Sequence, residues 1–136
     1  MENLDKAKEI EVKDEITILP RTEVKTYTDE QIQAHAGKCG GMRNLKEVPI
    51  YTDDNHTFWY LVKRPSKNVL QAIAEAKEKG DKKNDSSAIT DIQKLMMGCV
   101  LEGDKEAYEH DGSIYITLCK EIGKMSQESR STLKNL

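Results

Sequence analysis

Three histidines and three cysteines are the residues of this chain best suited to chemistry: His35, His56 and His110, with Cys39, Cys99 and Cys119. His35 and Cys39 stand four apart, which places both on one face of a helix. A zinc ion asks for about four Cys, His, Asp or Glu ligands, usually in paired short spacings. No second pair answers here: Cys99 and Cys119 are widely separated, with His110 alone between them. As thiol and base of a nucleophile, Cys39 and His35 lack any group to orient the base or to stabilise an oxyanion. "AHAGKCGGMRN" has the glycines of a phosphate loop without its G-x-x-x-x-G-K-[ST] order and without a preceding strand. Those glycines read as a helix end. The chain is therefore read as no enzyme, with no metal and no cofactor.

A second candidate lies in "FWYLVKRPSK", residues 58–67. Three of the seven aromatics stand together there, and Lys63, Arg64 and Lys67 follow. Aromatics beside cations can form a stacking platform for nucleic acid. Along a strand, however, Phe58 and Tyr60 point away from Trp59, so the three cannot stack on one run of bases. The net charge is -3 and the pI about 5.7, whereas a nucleic-acid domain typically has a pI above about 9. Residues 1–30 hold nine acids against five Lys/Arg, and the remainder is close to neutral. The stretch reads as a core strand whose basic end runs out to solvent and into a helix.

The elements that must position these residues follow from pattern. A length of 136 residues fits one domain. Charged residues make up 33% and apolar ones 37%, against about 25% charged in an average domain. Amphipathic helices with solvated faces give such a mixture. Three widely spaced cysteines make no disulfide framework; Cys99 and Cys119 read as small core residues. No run approaches the roughly 18–20 apolar residues of a membrane span, and "MENLDKAKEIEVKDE" lacks the apolar stretch of a secretory signal. A cytoplasmic location is expected.

Residues 1–25 read as a charged arm. Ile10, Val12, Ile16 and Ile18 alternate there as a strand ended by Pro20. Thr28 with Gln31 suggests a capping box at the start of a short helix, which Gly37, Gly40 and Gly41 end. Residues 45–63 read as a β-hairpin around Thr52–Asp53–Asp54–Asn55–His56, with Pro49 confining its first strand to an edge. In the second strand Phe58, Tyr60 and Val62 share one face, and Trp59, Leu61 and Lys63 the other. Both faces ask for cover, one of them from the N-terminal arm. Helices are expected at about 65–79, 87–99 and 112–128, the first with Pro65 in its first turn and Gly80 at its end. A short turn of helix is expected at 104–109. The fold class is α+β: an N-terminal arm, a short helix and a β-hairpin, followed by a mostly α-helical C-terminal bundle, with residues 26–136 forming a single domain.

Four pieces stand in order: "TYTDEQIQAHAGKCG", a hairpin strand running into "FWYLVKRPSKNVLQAIAEA", a helix ending at "MMGCVLEGD", and a closing helix "IYITLCKEIGKM" with a Leu-Lys tail. This order resembles the small tail assembly chaperones of tailed bacteriophages. There, an aromatic-rich hairpin strand is followed by a basic residue, Pro and an alanine-rich helix. A later helix ends in a Gly-Asp loop, as at Gly103–Asp104, and a last helix follows. The resemblance covers residues 26–136. Residues 1–25 depart from it, and the linker "KEKGDKKNDSS" is of a kind that varies in the family. The resemblance implies a non-enzymatic chaperone that coats the tape measure protein, a long, apolar, helical molecule, until tail-tube subunits displace it. It also implies a homo-oligomer, other tail proteins as partners, and the host cytoplasm as location. Partner-binding residues are expected at Trp59, Lys63, Arg64, Met96 and Met97, the methionines offering a soft, adaptable surface. The alternative is a structural virion protein or a small nucleic-acid-binding module using Lys63, Arg64 and Lys67.

Overall fold

The computed structural model describes residues 20–83 and 87–136. The alternation at Ile10, Val12, Ile16 and Ile18 lies outside the described residues. Strands β1 (Thr22–Val24), β2 (Leu45–Tyr51), β3 (His56–Lys63) and β4 (Val100–Glu102) form one sheet. Helices α1 (Asp29–Lys38), α2 (Lys67–Lys83), α3 (Ser87–Met97), α4 (Lys105–His110) and α5 (Gly112–Met125) complete the α+β domain. The strands come early and the C-terminal half is mostly helical.

β3 is the axis of the fold. On one side it pairs antiparallel with β2, Val48 facing Tyr60 and Ile50 facing Phe58. Its other edge is shared end to end. β1 runs parallel to it at His56–Phe58, and β4 runs antiparallel at Leu61 and Val62 with a bulge between them. Among the described residues β2 pairs with β3 alone, so Pro49 sits on an edge strand, where a missing N–H donor is tolerated.

Side chains alternate across β3 and feed two cores. Tyr60 and Val62, both fully buried, pack with Val48, Ile50, Ile114, Leu118 and Ile122 under α5. Leu61 packs on the opposite face with Tyr27, Ile32, Ala36 and Leu45. That face is covered by Tyr27 and α1. The described part of the N-terminal arm instead lies at the sheet edge as β1, because its three residues satisfy the open backbone groups of β3.

Local chemistry sets the helix limits. Thr28 Oγ1 accepts from the Gln31 N–H at 3.2 Å, and Gln31 Oε1 accepts from the Thr28 N–H at 2.8 Å, which is the expected capping box. α2 starts two residues after Pro65, with Ser66 Oγ accepting from the Val69 N–H. It also runs past Gly80 to Lys83. Gly80 lowers helix propensity without forbidding helix, and Glu78 pairs with Lys82 one turn later. α3 stops at Met97 rather than 99, since the Cys99 carbonyl accepts from the Lys63 N–H and carries the chain into β4. α5 stops at Met125 rather than 128, its last carbonyl taken by the Arg64 guanidinium at 3.0 Å. Gly103 closes the β4 exit at φ +133°, where a Cβ would collide with the Tyr60 ring.

Candidate functional site

The expected partner-binding residues fall on different surfaces. Trp59 lies on the α1 side of the sheet. Its Nε1 donates to Glu23 at 2.6 Å, and the Lys25 ammonium sits 5.6 Å from its ring centroid. Lys25 also stands over the Tyr27 ring and bonds Glu47 at 2.8 Å, while the Tyr27 hydroxyl donates to the same carboxylate at 2.7 Å. The Lys25 ammonium, then the Tyr27 hydroxyl, hold the Glu47 carboxyl below the ordinary carboxylate value. Burial and this same bond push the Tyr27 phenol far up. Trp59 is thus one side of a network that fastens β1 to the sheet.

Arg64 is engaged structurally. Its guanidinium donates to the carbonyls of Met125 and Arg43 and to Glu128 Oε1 at 2.8 Å, and its backbone N–H donates to the Asn44 carbonyl. One side chain therefore ties the lead-in to β2, the exit of β3 and the end of α5. Lys46 reaches the same Glu128 at 2.6 Å. Lys63 and Arg64 line a cleft with Lys38, Cys39 and Ser66. Lys67 is exposed on the first turn of α2, and neither it nor Trp59 is part of that cleft wall.

His35 and Cys39 do not face a common ligand. His35 Nε2 lies 2.8 Å from Glu102 Oε2, joining α1 to β4. Among the described residues no group of three or more His, Cys, Asp or Glu could hold a metal ion. His56 stacks on Phe58 and His110 is exposed at the end of α4. Cys99 and Cys119 are buried, and burial pushes both thiols up, which keeps them protonated and inert.

Met96 and Met97 lie across the sheet from Trp59, and both pack on the core beneath α5. Met96 also reaches the surface, in an open apolar groove between α3 and α5. Its walls are Ile89, Ile92 and Met96 from α3, with Ile116, Cys119 and Gly123 from α5. Ile89 is 62% exposed and Ile116 40%. Each wall spans eight residues of helix, seven rises of 1.5 Å or about 10.5 Å between its end residues. Ile89 and Ile116 are the two exposed large aliphatic side chains that this groove brings together. Ile116 was the missed residue. It departs from the Ile114, Leu118, Ile122 and Met125 stripe that turns α5 inward, and an isoleucine off that stripe was the available signal.

Comparison with known proteins returns no matching family model, no matching curated protein and no matching solved structure. Among the described residues no helix is long and apolar enough to cross a membrane.

Proposed function

We propose that the chain is a non-enzymatic protein-binding module, a tail assembly chaperone that holds an apolar helical partner of the tape measure kind in solution in the host cytoplasm. The observation that carries this reading is the α3–α5 groove, which gathers the exposed Ile89 and Ile116 on one apolar face. A groove between two helices accepts the apolar face of a third, read at positions i, i+3 and i+7. Met96, at the Gly123 end of the groove, adapts to differing side chains. The charged outer faces keep the loaded complex soluble.

The test is co-expression with a tape measure protein, followed by light scattering of the soluble fraction. The expected result is a soluble complex that needs this chain and is lost with Ile116→Glu. A partner equally soluble without this chain would sink the reading.

A second reading rests on the cleft lined by three cations, Lys38, Lys63 and Arg64. In that case the chain is a nucleic-acid module, and its binding weakens steeply with salt and with Lys63→Ala. Arg64's commitment to Glu128 and two carbonyls weighs against it.

A further inference from the structure

The cleft at the exit of β3 draws its walls from four places in the chain. Lys38 and Cys39 come from the end of α1 and Asn44 from the lead-in to β2. Lys63 and Arg64 come from the exit of β3, and Ser66 from the approach to α2. The cleft encloses about 310 Å³, the lower end of the roughly 300–1,000 Å³ of small-molecule pockets. Its lining holds three cations and no acid. Arg64 is spent on Glu128 at 2.8 Å and on two carbonyls. Lys38 and Lys63 are not: among the described residues neither ammonium pairs with a carboxylate. The groups beside them are set to donate. Ser66 Oγ accepts from the Val69 N–H at 3.3 Å, which leaves its own hydrogen free. The Cys39 carbonyl, which would repel an anion, is already taken by Asn44 Nδ2 at 2.8 Å.

We propose that this cleft binds a small molecule by its phosphate monoester, held by Lys38, Lys63 and the Ser66 hydroxyl. The two unpaired ammonium groups carry the site. Their charge matches the roughly −1.5 to −2 of a monoester at neutral pH, where a carboxylate or a phosphodiester offers a single charge. The start of α2 adds to them. Its first turn holds no acid, and the Lys67 and Asn68 N–H groups have no acceptor among the described residues. The stretch "GKCGGMRN" lacks the order of a phosphate loop, yet it supplies Lys38, Cys39 and Asn44 to the cleft. The site does not depend on what the α3–α5 groove receives. It differs from a nucleic-acid surface in asking for a terminal phosphate.

The test is titration of the full chain with inorganic phosphate at fixed pH and ionic strength, followed by amide NMR. Saturable shifts are expected at Lys38, Ser66, Lys67 and Asn68. Lys38→Gln and Lys63→Gln are each expected to weaken binding about tenfold. Lys124→Gln removes the same charge from α5, outside the cleft, and is expected to change binding less than about twofold. Ser66→Asp keeps an acceptor at the helix cap and sets a carboxylate in the phosphate's place. It is expected to abolish binding with unchanged circular dichroism. A short single-stranded oligonucleotide is expected to compete with phosphate only when it carries a terminal phosphate. Shifts that never saturate, an equal loss in Lys124→Gln, or wild-type binding by Ser66→Asp would overturn the proposal. Equal competition by both oligonucleotides would overturn it too, and make the cleft a nucleic-acid surface.

Discussion

β3 and α3 carry equally regular apolar patterns and meet opposite fates. In β3, Tyr60 and Val62 are fully buried and Leu61 is 1% exposed. In α3, Ile89, Ile92, Leu95 and Met96 repeat at three and four, yet no residue of the helix is buried. The difference is one of layers. β3 lies between two cores, and α5 is pressed onto its tyrosine face, burying Ile114, Leu118, Ile122 and Met125. α3 lies outside α5 with α2 as its other neighbour. A periodic stripe says that a helix has an apolar side. It does not say that the domain covers that side.

If stability resides in the sheet and α5, the largest effects must come from there. Gly103→Ala forces a Cβ onto the Tyr60 ring from a backbone at φ +133°. Strain and overpacking each cost about 1–3 kcal/mol, so urea unfolding is expected to show a loss of about 4 kcal/mol. Gly112→Ala, with no atom within 4 Å of the new Cβ, serves as the control. Next in size is Leu118→Ala, a cavity in the fully buried core, at about 3 kcal/mol. Ile89→Ala, on the 62% exposed side chain, is expected to stay within about 0.5 kcal/mol. Equal losses at Leu118 and Ile89 would remove the distinction between the two regions.

The same contrast decides what the sequence could disclose. The Thr28–Gln31 box, the hairpin and the α5 stripe are local patterns, and each was legible. β4 was not, because Val100–Glu102 is a strand only by virtue of the open edge of β3 some forty residues earlier. The end of α5 was not, because a guanidinium 61 residues away takes the Met125 carbonyl. At the candidate site Met96 was legible as an adaptable apolar residue. The groove around it was not, since whether Ile89 and Ile116 are covered depends on packing between helices. Trp59 and Arg64 look like free binding groups in sequence. Glu23 and Glu128, distant along the chain, turn both into fasteners.

Arg64→Ala is expected to have the third largest effect. It leaves the Met125 and Arg43 carbonyls and Glu128 without their donor. Hydrogen bonds to a charged group contribute about 1.5–3 kcal/mol. Arg64 retains 26% side-chain exposure, so a loss near 1.5 kcal/mol is expected on thermal or urea unfolding. Arg64→Lys is expected to recover little of it, since a point charge cannot bridge three acceptors. Full recovery by lysine would mean that Arg64 acts by charge alone and that the cleft is a better candidate site than its geometry suggests.

The smallest effect is electrostatic and concerns the anchor from which the C-terminal segment departs. Lys46 first, then Arg64, hold the Glu128 carboxyl below its ordinary value of 4.5. A carboxylate with a lowered folded value contributes its full stabilisation above the unfolded value and loses it as pH falls through the folded one. The anchor is therefore intact at neutral pH and loosens only below about pH 4.5. Carboxyl-carbon NMR titration is expected to place the Glu128 midpoint under that of a free glutamate. Lys46→Ala should raise the midpoint more than Arg64→Ala does, because the Lys46 bond is the shorter and the stronger cause. An ordinary midpoint in the wild type would mean that Glu128 is not held by Lys46 and Arg64 in solution, and that the chain beyond α5 is not tethered to the sheet.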